Sequence, residues 1–246
     1  MEVCIDSVQS AINSETGGAC RVELCASLAD GGTTPSLGML KVIKQNISIP
    51  VFCMIRPRGG DFCYNDLELE VMKADILCLK QAGADGFVFG ILTQDGDVDM
   101  VKCKQLLDLI RPLPATFHRA IDMSRDILQS LAAVKKLGFE RVLSSGGKPT
   151  ALQGVNTLKE MVKLVRNKKV LILCGGIQID NLETILHSTG AQEFHGSARE
   201  TLNSSMIFQK PDISMGSQPG CEFISKVTSV SVVKTLISLA NLIWNR

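Results

Sequence analysis

The chain lacks most of the features that would commit it to nucleic acid, membrane or export. Lys plus Arg number 26 and Asp plus Glu 25 in 246 residues. A nucleic-acid binder normally carries a basic excess to neutralise phosphates, so nucleic acid is not expected as a partner. The same balance gives an anionic membrane surface nothing to hold. No segment approaches the roughly 18 apolar residues of a membrane span; the most apolar late stretch, 227–244, is interrupted by Lys234 and several Ser and Thr. The opening MEVCIDSV has no basic region followed by an apolar run, so the expectation is no signal peptide and a cytoplasmic location. Aromatic residues are only 4% of the chain, which removes one usual signal of an interface. There is no C-x-x-C pair, no G-x-G-x-x-G turn and no G-x-S-x-G elbow. A zinc ribbon, a thioredoxin-like site, a dinucleotide fold and a serine hydrolase each lose their usual signature.

What is present is a globular composition, 45% apolar and 21% charged, with nine cysteines. Nine is odd, and in a reducing compartment most should be free thiols. Eight short β-rich runs recur, at 2–5, 21–26, 50–56, 86–91, 115–119, 141–145, 170–174 and 193–197. Helical periodicity fills the gaps. The apolar stripes are Leu67, Val71, Ala74, Leu77 and Cys78; Cys103, Leu106, Leu107 and Ile110; Ile127, Leu128, Leu131 and Val134; Leu158, Met161, Val162 and Val165; and a last set from Val233 to Ile243. Ser7 and Asp180 stand where helix caps are expected, and Gly83, Gly138 and Gly190 where helices should stop. Eight strand–helix units in this length predict an α/β fold, a parallel (β/α)8 TIM barrel, as one domain over 1–246. Residues 200–222, rich in Ser, Gly, Pro and Met, read as a long irregular loop before the final helix.

In such a barrel the site lies at the C-terminal ends of the strands. The polar residues there include Asp6, Glu23, Arg56, Arg58, His118, Arg119, Asp122, Ser144, Ser145, His195 and Ser197. Side chains two apart share a face of a strand. Cys4 therefore points inward with Glu2 and Asp6, and Cys25 inward with Glu23. The first two strands are neighbours, so the two thiols are expected side by side, a soft donor pair suited to Cu(I); the alternative is that both are small buried hydrophobes. Cys174 is a third, weaker candidate, and Cys53, Cys78 and Cys103 are expected in apolar faces. Gly-rich turns follow the late strands. Ser145 and Gly146, Gly175 and Gly176, and Gly196 and Ser197 form a candidate anion site built from backbone N–H groups, with Arg56, Arg58 and Arg119 adding charge.

These motifs resemble one known family along nearly the whole length. MEVCIDS, RVELCA, GGTTPSLG at 31–38, IRPRGGDFCYND at 55–66, TFHRAID at 116–122, RVLSSGG at 141–147, ALQG at 151–154 and EFHGSA at 193–198 are similar to the CutC copper homeostasis proteins. Ile121 stands where Phe is usual, and Ser144 where Thr is usual. The resemblance implies a TIM barrel, a cytosolic homo-oligomer linked to copper tolerance, and Cu(I) held at Cys4 and Cys25. It also implies that Glu23, Arg56, His118, Arg119 and Asp122 converge at the barrel mouth.

Two functional readings follow. One is a copper homeostasis protein with copper as its partner. The other is a barrel enzyme acting on a small anionic or phosphorylated substrate. In that second reading His118 is the general acid or base, Glu23 or Asp122 its carboxylate partner, and Arg56 and Arg119 hold the anion.

Overall fold

The computed structural model describes residues 1–165, 171–210, 213 and 222–245. Eight parallel strands close into a barrel in chain order: β1 (Glu2–Ile5), β2 (Arg21–Leu24), β3 (Val51–Met54), β4 (Gly86–Phe89), β5 (Ala115–Phe117), β6 (Arg141–Ser144), β7 (Leu171–Leu173) and β8 (Glu193–Gly196). β8 pairs with β1 through Glu2–His195 and Val3–Gly196, which closes the ring. The helices are α1 (Val8–Thr16), α2 (Leu37–Asn46), α3 (Asp66–Gln81), α4 (Met100–Ile110), α5 (Ile127–Leu137), α6 (Val155–Leu164), α7 (Leu182–Thr189) and α8 (Val230–Trp244). The predicted α/β barrel is the observed fold. Val170, placed in the seventh predicted strand, lies outside the described residues.

Alternation along each strand sorts its side chains into two populations. One set (Val3, Ile5, Val22, Leu24, Val51, Cys53, Phe87, Phe89, Phe117 and Phe194) is buried in the main core with the helices. Burying each large side chain contributes about 1.5–3 kcal/mol, so this outer shell carries most of the stability. The other set faces the barrel interior and mixes charged and polar side chains with two small apolar clusters: Cys25, Phe52, Met54 and Val88, then Leu143, Ile172 and Cys174.

The base of the interior is a charged plug. Arg21 pairs with Glu2 and with Glu193, and Arg141 approaches Glu193 at 3.8 Å. Both guanidinium groups lie on the ring of Phe52, at 5.7 and 5.4 Å from its centroid. Two cations, two carboxylates and an aromatic ring thus fill the space that aliphatic layers usually fill in this fold.

Local signals set the helix ends. Ser7 caps α1 by accepting from the Ser10 N–H. Asn65 and Glu68 form a capping box at the start of α3. Gly138 and Gly190 close α5 and α7 in the left-handed conformation that ordinary residues avoid. The cap of α7 is Asn181, one residue after the expected Asp180; its side-chain oxygen accepts from the Gln178 N–H and its amide donates to the Gly176 carbonyl.

Two expectations are corrected. The stretch read as a loop over 200–222 begins in a strand. β9 (Arg199–Asn203) pairs antiparallel with β10 (Ile224–Thr228), forming a two-stranded arm outside the barrel. Residues 199–203, Arg-Glu-Thr-Leu-Asn, show no alternation of polar and apolar side chains, and their partner strand lies beyond the Gly/Pro-rich segment. The arm is fixed at its base, where Thr228 donates to the Ser197 carbonyl and accepts, through its own carbonyl, from Asn13. Second, α3 lies with the opposite face inward. Leu69, Met72, Ile76 and Leu79 are buried, whereas Leu67, Val71, Ala74, Leu77 and Cys78, read as the core stripe, are all exposed.

Candidate functional site

The C-terminal ends of the strands open into a cavity of about 770 Å³. Strand alternation brings Cys4, Glu23, Met54, Arg56, His118, Leu143, Cys174, His195 and Ser197 to its wall. At its lower end the Cys4 sulfur, a Glu23 carboxylate oxygen and a His195 ring nitrogen all lie within 4.8 Å of one another. The register explains the meeting: Cys4 is the Cα partner of Glu23, and Glu2, two residues before Cys4 on the same face, is the partner of His195.

His195 is held from below. Its Nδ1 lies 2.8 Å from Glu2 Oε1, and its Nε2 3.6 Å from Glu23 Oε2. Glu2 is buried, which disfavours its charge, but Arg21 and His195 outweigh that and hold its pKa at about 2. An ionised carboxylate only accepts, so Nδ1 carries a proton and Nε2 faces the cavity. Burial likewise opposes a charge on His195; Cys4, Glu23 and Glu2 overcome it and raise its pKa well above the ordinary value. Glu23 is raised to about 7, chiefly by burial, with Glu2 adding repulsion. Its Oε1 is buried with no hydrogen-bond partner.

Cys25 sits beside this group. Its N–H donates to the Ile5 carbonyl, which continues the β1–β2 ladder and keeps its side chain on the inner face. It is buried against Phe52, Met54 and Val88 under Gly32 and is not among the cavity-lining residues. Burial, Glu23 and Cys4 push its thiol pKa far up. Cys174, also inward, is raised by burial and by Asp122. Cys53 and Cys103 are in the outer core as expected, but Cys78 is exposed on α3.

Arg56, His118, Arg119 and Asp122 also reach the cavity, whereas Arg58, Ser145, Gly146 and Gly196 do not line it, and several of these residues are already engaged. Arg56 donates to the carbonyls of Asp30, Gly32 and Gly60 at 2.8–2.9 Å and lies over Phe62. It pins two loops at the mouth. Arg58 pairs with Glu68 and Asp61. Asp122 accepts from Arg119 Nε, from the hydroxyls of Ser144 and Ser145, and from the N–H groups of Ser145 and Gly147. An internal carboxylate therefore occupies the turn that was expected to receive an external anion. The Gly146 N–H goes to Ser144 Oγ at 2.9 Å, and Gly196 lies within β8. Of the six anion-site candidates, Gly175, Gly176 and Ser197 line the cavity.

His118 is buried on the cavity wall. Its Nδ1 accepts from the Ala120 N–H at 3.2 Å, and its Nε2 has no partner. Burial and the nearby Arg56 lower its pKa to about 3, so the ring stays neutral. Neither Glu23 nor Asp122 is its hydrogen-bond partner.

Comparison with known proteins fixes the family. The CutC family model matches residues 1–200. The human copper homeostasis protein cutC homolog is 52% identical over 241 residues, covering 98% of this chain and 88% of that protein. The chain belongs to the CutC family. A crystal structure of a copper homeostasis protein CutC from Streptococcus agalactiae superimposes with a TM-score of 0.76 at 36% identity, covering 80% of this chain and 97% of that one. Thiamine phosphate pyrophosphorylase from Pyrococcus furiosus matches with a TM-score of 0.60 at 15% identity over 98% of this chain and 95% of that one, a likeness of fold alone.

Within this CutC chain, sequence reasoning placed Cys4, Cys25 and Glu23 on the inner face but did not join His195 to them. The signal was available: a ring of eight strands closes β8 onto β1, and alternation through Glu193, His195 and Ser197 turns the imidazole inward. Glu2, the partner of that imidazole, was placed on the inward face but given no role.

Proposed function

We propose that this chain is a copper homeostasis protein that binds Cu(I) through Cys4 and Cys25. The observation that carries the reading is the inward placement of both thiols on adjacent strands, close enough that Cys4 opposes ionisation of Cys25. Two thiolates form a soft, low-coordinate donor set that fits Cu(I). The human and Streptococcus relatives, both described as copper homeostasis proteins, support the same reading. A raised Cys25 pKa means that metal must displace a thiol proton, so Cu(I) affinity should fall as pH drops. The reading brings with it a cytoplasmic location and association of copies; the exposed apolar stripe of α3 offers such an association a face. No helix among the described residues is long and apolar enough to cross a membrane.

The test is anaerobic competitive Cu(I) titration of the intact protein against the Cys4→Ser, Cys25→Ser double variant. Tight stoichiometric binding that disappears in the variant supports the reading. Equal binding by both, or by neither, returns the two cysteines to the core.

A second reading, an enzyme acting on a small ligand at the mouth, is favoured by the neutral His118 with its buried, unpartnered Nε2 on the cavity wall. The engaged donors of Arg56 and Arg119 give an anionic substrate less support. Inorganic phosphate that raises the melting temperature of the intact protein but not of a Gly176→Ala variant would strengthen the anionic form of this reading.

A further inference from the structure

We infer that Cys4, Glu23 and His195 form a second kind of metal site, for a divalent borderline ion such as Zn2+, with its fourth position open to the cavity. The inference does not rest on the copper reading, because it needs neither Cys25 nor a monovalent ion.

Three observations carry it. The first is the donor set. A thiolate, an imidazole and a carboxylate within 4.8 Å of one another are a mixed soft and hard trio. Carboxylate suits Zn2+ and is a poor ligand for Cu(I), whereas the two thiols of Cys4 and Cys25 suit Cu(I). Two anionic donors, with an imidazole that yields its Nε2 proton to the ion, also balance a divalent charge. Ligand atoms in a tetrahedral zinc site stand about 3.3–3.8 Å apart, and the His195 Nε2–Glu23 Oε2 separation is already 3.6 Å.

The second is the support behind the imidazole. Glu2 Oε1 accepts from the His195 Nδ1–H at 2.8 Å and is itself fixed by Arg21, which is fixed in turn by Glu193. This carboxylate–histidine arrangement sets the ring orientation and leaves Nε2 for the ion, as second-sphere carboxylates do in zinc proteins. Glu2 is thus a positioning residue.

The third is access. All three ligands line the cavity, while Glu23 Oε1 is buried and has no hydrogen-bond partner. A buried carboxylate oxygen without a partner is costly, and a bound cation would compensate it. Three protein ligands with an open fourth position are the pattern of zinc sites that bind a further molecule, not of closed structural ones.

The experiment is titration of the intact, reduced protein with Zn2+ by competition against a chromophoric chelator, and with Co2+ as the spectroscopic probe. One equivalent of Co2+ should bind with a thiolate charge-transfer band and the intense visible absorption of a four-coordinate ion, and Zn2+ should displace it. His195→Gln and Glu23→Gln should each lose the four-coordinate spectrum, and Cys4→Ser the charge-transfer band. Glu2→Gln, which leaves every ligand in place, should weaken Zn2+ by about 10–100-fold. Circular dichroism and melting temperature report whether each variant folds. If the intact protein binds neither Zn2+ nor Co2+ stoichiometrically, the proposal fails whatever the variants do. A spectrum that depends on Cys25 but not on His195 would also overturn it, since the ion would then sit on the thiol pair. Cu(I) binding in the intact protein is scored separately, so failure of the copper reading leaves this result standing, and the reverse.

Discussion

The carboxylate of Asp122 accepts from Arg119, from two hydroxyls and from two backbone N–H groups, and its side chain is only 5% exposed. That pattern makes it the fastener of the turn after β6. Asp122→Asn keeps the shape but removes the charge and sets an amide donor against donors. The expected loss is about 2–3 kcal/mol, read as a lower urea midpoint. His118 gives a second residue-level expectation, in pH. Its native pKa is lowered from 6.5 to about 3. Between those values the unfolded chain holds a proton on this imidazole and the native protein does not. This residue therefore makes stability fall as pH drops below about 6.5, until the native ring too is protonated near 3. His118→Asn, which keeps an acceptor for the Ala120 N–H, should flatten the decline in urea midpoint between about pH 6.5 and about pH 4.

Strands and helices differ in how openly the sequence declared them. At Gly86 in β4, an added Cβ would lie 2.6–2.7 Å from the Phe52 ring, the centre of the charged plug. Gly86→Ala should cost about 1–3 kcal/mol by overpacking, seen in the same denaturant measurement, while Phe52→Leu beside it should restore part of the loss. Short strands were legible because a residue has only two faces to choose between there; once the ring was counted, inward and outward sets followed. The Cys4, Glu23 and Cys25 placement was read that way, whereas Arg56, His118 and Asp122 were placed at the mouth as polar residues where strand runs end. Helix α3 shows the limit. Its sequence offers two apolar stripes, 67, 71, 74, 77 and 78 or 69, 72, 76 and 79, and helical periodicity alone ranks neither. The second is the one buried in the main core, a tertiary fit that no local pattern contains. The site was harder still. Linking Glu2 to His195 needs the contact between the first and the last strand, and knowing that Arg56 and Asp122 are engaged needs the conformations of loops whose partners are distant carbonyls and N–H groups.

Across the whole molecule, the inverted α3 leaves Leu67, Val71 and Leu77 at 80%, 50% and 51% exposure along one helix. Scattered exposed apolar residues are ordinary, whereas an aligned row is more typical of a covered surface. Replacing Leu67 and Leu77 together by Glu is expected to shift sedimentation toward the monomer without lowering the melting temperature; an unchanged profile would assign association, if observed, to another face. The charged plug has a different consequence at this scale. Among the described residues, none lines both the mouth cavity and the hollow on the opposite face of the barrel, and Arg21, Phe52 and Arg141 belong to the latter. The plug thus closes the mouth cavity off from the opposite face among the described residues, and the mouth is its doorway. An ion settling at Cys4, Glu23 and His195 would leave through the same mouth that a later arrival enters, last in, first out. A molecule resting in the mouth would act as a stopper on the ion beneath it, and a receiving partner would have to come to that doorway to collect.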